Sequence, residues 1–278
     1  MMKKILAVIS ASLALIFAVM GIISVVTLHN NAYFSPDYKK IDLAPILTKQ
    51  TFSEEDYKTI FYQTGLGKYA IDSIRNDDDF VERIEAFQAQ FFKRNYTKCV
   101  REAITTNMEY NVSKAGYQVK GFEIFDVVPG YVLIMESSHS FGWRHGHAGI
   151  VISRTKTVEA PIIGEPSMVY DLSTWQYYPN FIMLRLKDAD DAALKKIAEG
   201  AKKNLTGVVY SPLAGVFKKD TGPRPESVQC AHLVWQAFYN FDIDIDSDGG
   251  NIVTVNDIKN SDKFEIVQIY GYDPSDFM

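Results

Sequence analysis

The sequence holds few cysteines, only Cys99 and Cys230 among 278 residues. Two thiols are too few for a disulfide-stabilised scaffold or for a zinc site with four thiolate ligands, and they permit at most one bridge. The chain also lacks an excess of positive charge, because 29 Lys and Arg stand against 34 Asp and Glu. A net charge of −5 gives no global attraction to phosphate backbones, so we expect no nucleic-acid partner.

Apolar residues, by contrast, are plentiful. They make up 47% of the chain, and aromatic residues make up 13%. This composition supplies a core and excludes wholesale disorder. Beyond an apolar N-terminal run, about 250 residues remain, which is at the upper end of what one domain usually takes.

The N-terminal run covers residues 5–28, carries no charge and follows Lys3 and Lys4. At about 1.5 Å per residue, a helix of this length would cross a hydrocarbon core of about 30 Å. No good small-x-small cleavage site follows, so the run predicts an uncleaved signal anchor, with a cleaved secretory signal as the alternative. The two lysines then place the N-terminus in the cytoplasm and the rest outside, on a single-pass membrane protein or a secreted one.

The chain divides into four expected parts. They are an anchor at 1–31, a tether at 32–52, a helical extension at 53–107 and a catalytic-sized domain at 108–278. Ser53 followed by Asp56 resembles an N-cap signature for a helix that runs to about residue 63. Apolar spacing predicts another helix over residues 78–95.

The larger domain combines short β-like runs with amphipathic helices. Strands are predicted at 121–128, 131–135, 148–153, 157–160, 168–172, 180–186 and 264–270. Helices are predicted at 188–205 and from about Cys230. Together these elements predict an α+β fold with an antiparallel sheet and packed helices.

A histidine stands at the mouth of an apolar strand, in the stretch WRHGHAGIV at residues 143–151. The small neighbours of His147 leave room for a substrate. Glu159 lies in what looks like the hairpin partner of that strand, so its carboxylate is expected to bind the imidazole and hold its tautomer. The pattern predicts a general base with its orienting group.

Cys230 opens an apolar-periodic helix after a loop rich in Gly and Pro, in the stretch SVQCAHLVWQAF at residues 227–238. Unsatisfied N–H groups and the helix dipole stabilise a thiolate, and so lower the pKa of a thiol at a helix N-terminus. A neighbouring histidine lowers that pKa further and carries the proton. The pattern predicts a nucleophile.

The order His, then Glu, then a distant Cys at a helix start resembles a known family. It is similar to the circularly permuted branch of the NlpC-type papain-like cysteine peptidases, the YiiX/YycO-like amidases, with lecithin:retinol acyltransferase-like enzymes as more distant relatives. The matching pieces are residues 130–134, 147–151, 158–160, 210 and 229–235, within about residues 121–272. At Tyr131 the chain departs from the Gly-Asp pair that is common in the family.

The resemblance implies a papain-like α+β domain in permuted order and a role for four residues. Cys230 is implied as the nucleophile, His147 as the general base and Glu159 as the polar group that orients it. Tyr210 matches a family tyrosine near the nucleophile and is implied in an oxyanion site together with the backbone N–H of Cys230. No cofactor and no metal are implied.

These observations predict an extracytoplasmic, membrane-anchored cysteine hydrolase of the peptidase or amidase type, which cleaves an amide or ester bond through an acyl-enzyme. The expected partners are a peptide, amide or acyl-lipid substrate, with cell-wall peptide as one candidate, and the membrane through the N-terminal run. Two alternatives stay open. One is an acyltransferase that uses the same residues, and the other is a non-catalytic surface binding module on the same fold.

Several of these residues admit other roles. His145 lies two positions before His147 and shares its strand face, so the pair with Cys230 or Glu159 could ligate zinc. Cys99, in an expected helical context, is predicted to be inert. A disulfide between Cys99 and Cys230 is the competing alternative, and it would abolish thiol catalysis.

The remaining histidines and tryptophans have structural interpretations. His232 is expected to point away from the face of the thiol. His139 lies in a Ser-rich stretch that predicts a solvated loop or the rim of a substrate cleft. Trp143 and Trp175 are candidates for cleft walls, although such aromatic residues more often lie in a core.

An acidic run, DIDSDG from Asp244, matches the first half of an EF-hand loop. Position twelve of that loop is Val255, where a bidentate Glu is needed. The run therefore predicts a solvated acidic turn, with a weak calcium site as the alternative.

Overall fold

The structure is a computed structural model that describes residues 2–27, 33–102, 106–140, 143–216, 219 and 221–277. Its α-helices are Met2–Thr27 (α1), Ala44–Leu47 (α2), Glu54–Thr64 (α3), Lys68–Ile74 (α4), Phe80–Phe91 (α5), Asp191–Leu205 (α6), Cys230–Tyr239 (α7) and Val255–Lys259 (α8). Its strands are Tyr96–Arg101 (β1), Thr106–Val112 (β2), Val132–Met135 (β3), Ser138–Ser140 (β4), Trp143–Arg144 (β5), His147–Ser153 (β6), Lys156–Glu159 (β7), Met168–Asp171 (β8), Phe181–Leu186 (β9), Val209–Tyr210 (β10), Ser227–Val228 (β11) and Phe264–Tyr270 (β12). Short 3-10 helices cover Leu172–Tyr177 and Pro274–Phe277.

The apolar N-terminal run forms helix α1, but the predicted membrane anchor is wrong. Within the part of the chain that the structure describes, no helix combines the length and the apolar character that a membrane span requires. The single-pass membrane topology that rested on the anchor is therefore not supported. Residues 28–32, the predicted junction of anchor and tether, lie outside the described residues.

A six-stranded sheet with strand order β12-β9-β3-β6-β7-β8 organises the larger domain. Every pair of neighbouring strands in it is antiparallel. Strands β3 and β9 are buried along their whole length, and they are apolar throughout except for Arg185 in β9. Helices α6 and α7 pack against β6, and α4 packs against β12. The predicted α+β fold with an antiparallel sheet and packed helices is confirmed.

A second sheet, of strand order β1-β2-β4-β5, stands where the end of the helical extension was predicted. The helical context of Cys99 is wrong, because Cys99 lies in β1 directly opposite Glu109 of β2. Side-chain exposure alternates over residues 96–99, as in a strand with one covered face. Pairing with β2, the next strand along the chain, outweighs the local helical pattern here.

Residues 121–128, a predicted strand, belong to no strand, although Phe122 and Phe125 are buried. The side-chain amide of Gln268 forms hydrogen bonds with backbone groups of this segment that would otherwise pair with a neighbouring strand. The N–H of Phe125 donates to Gln268 Oε1 at 2.8 Å, and Gln268 Nε2 donates to the carbonyl of Glu123 at 2.9 Å. The apolar pattern thus predicts burial correctly but not the hydrogen-bond partner.

The predicted starts of α3 and α7 are confirmed, whereas α6 begins at Asp191, three residues after its predicted start. Helix α3 begins with a capping box, in which the N–H of Asp56 donates to Ser53 Oγ at 3.2 Å and the N–H of Ser53 donates to Asp56 Oδ2 at 2.9 Å. Asp190 caps α6 by accepting the N–H of Ala193 at 2.7 Å. Helix α7 begins at Cys230. Because α7 packs on β6, its first turn faces that strand.

Candidate active site

Cys230 is the first residue of α7, and its side chain is buried. The preceding residue, Gln229, is in the extended conformation and caps the helix, because its Oε1 accepts the N–H of Ala231 at 2.8 Å. The same oxygen lies 3.5 Å from Cys230 Sγ. Gln229 Nε2 donates to the carbonyl of Val253. The cap fixes the thiol at the positive end of the helix dipole.

His147 is the first residue of β6 and is buried beside this helix start. Its Nε2 donates to Glu159 Oε2 at 2.8 Å. Its side chain lies close enough to the Cys230 thiol for each group to shift the pKa of the other. Since Nε2 is engaged by the carboxylate, Nδ1 is the ring nitrogen left for the sulfur. The structure therefore brings the predicted nucleophile, base and orienting group together.

Glu159 ends strand β7 and is almost fully buried. In addition to His147, two donors hold its other oxygen: Trp175 Nε1 donates to Oε1 at 2.8 Å, and Thr157 Oγ1 donates to the same atom. A buried carboxylate with three donors is fixed in orientation. Glu159 can thus hold the tautomer of His147 and stabilise its positive charge.

Trp175 and Gly149 fit closely around this carboxylate. The indole of Trp175 stacks on the ring of His147, with the centroids 5.5 Å apart and the planes 16° apart. Gly149 lies opposite Glu159 in the β6–β7 pairing, and a Cβ at Gly149 would lie 2.8 Å from Glu159 Cγ and 3.0 Å from the indole. Only a residue without a side chain leaves room for both groups.

The electrostatics of Cys230 and His147 favour an ion pair. Burial by itself raises the pKa of the Cys230 thiol, but His147 and the N–H groups of Ala148 and Ala231 lower it below the ordinary thiol value. Burial disfavours a charged imidazole, yet the hydrogen bonds to Cys230 and Glu159 raise the pKa of His147 above its ordinary value. Opposite shifts in the two partners favour thiolate and imidazolium near neutral pH.

Tyr210 lies beside the thiol, as the sequence analysis expected. It ends β10, which pairs in parallel with β11, the strand that leads into Gln229 and α7. Burial and the negative charge of Cys230 raise the pKa of Tyr210 above its ordinary value. The phenol therefore stays protonated at neutral pH and is available as a hydrogen-bond donor.

The thiol opens into a cleft of about 330 Å³, within the size range of small-ligand sites. Described residues of the wall, besides Cys230, Gln229 and Tyr210, are Thr106, Ser140, Trp143, His145, Pro161, Ile163, Pro212, Ile252, Val253, Thr254 and Val255. Trp143 is 67% exposed and stands at the rim, so its predicted place in the cleft wall is confirmed. Carbon-rich side chains dominate the wall and favour an apolar substrate group beside the sulfur.

His145 and His232 have other contacts in the described part of the chain. His145 lines the cleft, with Nε2 3.1 Å from Ser140 Oγ and Nδ1 2.9 Å from the carbonyl of Gly146. His232 is buried and packs against Trp235, with ring centroids 5.3 Å apart.

The prediction of a solvated loop around His139 is wrong. His139 is fully buried in β4, between Asn107 of β2 and Arg144 of β5. Its Nε2 lies 3.6 Å from Cys99 Sγ. The polar sequence around His139 gives no signal for the three-residue strand β4, which is stabilised by pairing with β2 and β5. Cys99 and Cys230 are both free thiols, so the alternative disulfide is not formed.

The zinc alternative finds no support. Among the residues that the structure describes, the only group of His, Cys, Asp and Glu close enough to hold a metal is Asp246, Asp248 and Asp257. This group does not reproduce the EF-hand, because Asp257 lies beyond the twelve-residue loop. Asp246 forms an ion pair with Lys219, and Asp257 belongs to the capping box of α8.

Sequence reasoning missed the roles of Thr157, Gly149 and Gln229. It allowed Trp175 a place in the core, where the residue lies, but not its hydrogen bond to Glu159. A signal for Thr157 was present, because residues two apart on a strand share a face and Glu159 follows at that spacing. The other roles depend on contacts between elements that no local spacing reveals. Comparison of this chain with family models, with curated proteins and with solved structures finds no match.

Proposed function

We propose that this protein is a cysteine hydrolase that cleaves an amide or ester bond through a thioester on Cys230. The observation that carries the proposal is the buried cluster in which His147 binds Glu159 at 2.8 Å and lies beside the Cys230 thiol, whose pKa it lowers. The thiol stands at a capped helix start, where its pKa is lowered. The sequence order of the three residues, which resembles that of the permuted papain-like amidases, supports the same chemistry.

In the first half of the reaction, the Cys230 thiolate attacks the carbonyl carbon of the substrate. The new C–S bond forms while the carbonyl π electrons move to oxygen, which becomes an oxyanion. We assign the backbone N–H of Cys230 and the phenol of Tyr210 as donors to that oxyanion. As the oxyanion collapses, the bond to the leaving nitrogen or oxygen breaks, and His147 donates its proton to that atom.

In the second half, neutral His147 takes a proton from water while the water oxygen attacks the thioester carbon. The C–S bond then breaks, the thiolate returns with the imidazolium, and a carboxylic acid is released. Glu159 holds the ring of His147 and stabilises the imidazolium of each step. Another nucleophile in the place of water would turn the same thioester into a transferase intermediate.

The experiment that tests this proposal is turnover of 4-nitrophenyl acetate by the full chain, followed by mass spectrometry of the quenched protein. We expect a burst of 4-nitrophenol and an acetyl group on Cys230. The Cys230→Ala variant should show neither, while the Cys99→Ala variant should keep both. Absence of an acyl adduct on Cys230, or an adduct on Cys99 instead, would overturn the proposal.

A further inference from the structure

A second cavity, which the proposed reaction does not use, adjoins the cleft at Cys230. It measures about 350 Å³, close to the size of the cleft itself. Thr106, Pro161 and Ile163 line both cavities. Ile163 is 55% exposed at this shared boundary, so an apolar side chain marks the junction of the two spaces.

The second cavity has an aromatic wall. The rings of Tyr110 and Tyr178 stack within it, with centroids 5.6 Å apart, and Tyr170 and Tyr177 complete the wall. Aromatic rings that are fixed by packing give apolar groups a large contact area at small entropic cost. This wall suits an apolar chain or ring.

The second cavity has few charged side chains, and each of them already accepts a hydrogen bond from a neighbouring residue. Of the described residues that line it, two are charged, Glu102 and Glu159. Glu102 accepts a hydrogen bond from Tyr110 Oη at 2.9 Å, and Glu159 is held by His147 and its two other donors. No cation of the described lining is available to bind an anionic group, so the cavity favours an uncharged occupant.

The aromatic wall is continuous with the support of the catalytic histidine. Tyr178 packs edge-on against Trp175, with centroids 5.7 Å apart, and Trp175 stacks on His147. A group bound against Tyr178 therefore completes the packing of the same stack that orients the imidazole.

We propose that the tyrosine-walled cavity is a second subsite of the Cys230 cleft, and that it binds the distal, apolar and uncharged part of the acyl group. Ile163 lies at the junction, so the size of its side chain limits which acyl chains can extend from the sulfur into the subsite. The substrate class is then an amide or ester of an elongated apolar carboxylic acid. This inference rests on the proposed function, because the acyl group must be carried on Cys230.

The test is a chain-length series of 4-nitrophenyl esters, from acetate through butanoate to octanoate, measured as kcat/KM with the full chain. We expect kcat/KM to rise with length, by up to about fourfold for each methylene that leaves water. Ile163→Trp narrows the junction and Ile163→Asp places a charge in it. Each variant should lower kcat/KM for octanoate at least tenfold more than for acetate.

Val169→Trp is the matched control, since Val169 is 40% exposed on β8 and lines neither cavity. It should leave the octanoate-to-acetate ratio unchanged. Equal kcat/KM for all chain lengths, or Ile163 variants that keep the wild-type ratio, would overturn the subsite while an acyl adduct on Cys230 still supported the hydrolase. Failure to form any adduct on Cys230 would overturn both.

Discussion

The protein contains two clusters of the same residue types in different surroundings. Cys230, His147 and Glu159 form the helix-start cluster, and Cys99, His139 and Glu109 form the sheet cluster. In both, a histidine hydrogen-bonds or closely approaches a free thiol, with a buried carboxylate nearby. The pKa shifts are nevertheless opposite: the pKa of the Cys230 thiol is lowered, whereas that of the Cys99 thiol is raised.

The position of the carboxylate accounts for much of this difference. Glu159 binds the far nitrogen of His147, so its charge favours the imidazolium. Glu109 lies directly opposite Cys99 and is paired with Arg144 Nη2 at 2.7 Å. Burial and the charge of Glu109 therefore raise the pKa of the Cys99 thiol.

The histidines differ for a related reason. Burial and the charge of Arg144 lower the pKa of His139 below its ordinary value, although Glu109 opposes this effect. A neutral His139 cannot stabilise a thiolate on Cys99. The comparison teaches that a Cys, a His and a Glu within reach do not make a nucleophile. The carboxylate must bind the histidine on the side away from the thiol, and the thiol must lie near free backbone N–H groups, as at a helix N-terminus.

The largest effect is expected from the histidines. His147→Gln keeps the side-chain volume close to the original but removes the proton carrier, so kcat/KM for 4-nitrophenyl acetate should fall about 10² to 10⁴-fold. His139→Gln should leave kcat/KM within about twofold, because its partner thiol is not activated. Steady-state kinetics of both purified variants checks this, with thermal unfolding as the control for folding. Equal losses would break the distinction between the clusters.

A smaller effect is expected from the carboxylates. Glu159→Gln removes the charge that favours the imidazolium, so the pKa of the Cys230 thiol should rise and activity should fall about 10- to 100-fold. Glu109→Gln should act in the opposite direction on its own cluster and lower the pKa of the Cys99 thiol. Thiol titration by absorbance at 240 nm, in variants that retain one cysteine, separates the two outcomes. Shifts of the same sign in both thiols would contradict this account.

The smallest effect is expected at the tryptophans. Trp175→Phe keeps the stack on His147 but removes the donor to Glu159, which should lower the free energy of unfolding by about 1–3 kcal/mol. Its catalytic loss should be only several-fold. Trp143→Phe, at the exposed rim, should change stability by less than about 0.5 kcal/mol. Urea denaturation of the two variants measures the difference, and a matching loss in both would show that the indole donor contributes nothing.

Local patterns were sufficient to predict the two parts of the helix-start cluster, the helix start and the hairpin, but not their contact. The apolar period after Cys230 predicts the start of α7, and the closeness of His147 and Glu159 along the chain predicts their hairpin. The packing of α7 on β6, which brings the thiol to the imidazole, joins segments about 80 residues apart in the sequence. The family resemblance implied this contact, but no residue spacing in the chain predicts it.

The sheet cluster lay beyond sequence reasoning because its elements are short and weakly patterned. Strand β4 has three residues and β5 has two, too few for a period to emerge. Cys99 is followed by only two residues of its strand, and the partner strand alone decides its conformation. The N-terminal run illustrates the converse, since its apolar pattern predicted a helix correctly and a membrane span wrongly.

The most direct test of the difference between the clusters is the rate of iodoacetamide alkylation of each cysteine in the unmodified protein between pH 5 and pH 10. Peptide mass spectrometry reads both thiols in the same sample. Because the pKa of Cys230 is lowered and that of Cys99 is raised, Cys230 should react quickly at pH 6–7 and reach its plateau there. Cys99 should begin to react only as the pH passes the ordinary thiol value of about 8.5. Parallel pH profiles for the two thiols, or slower alkylation of Cys230 than of Cys99 at neutral pH, would contradict the account.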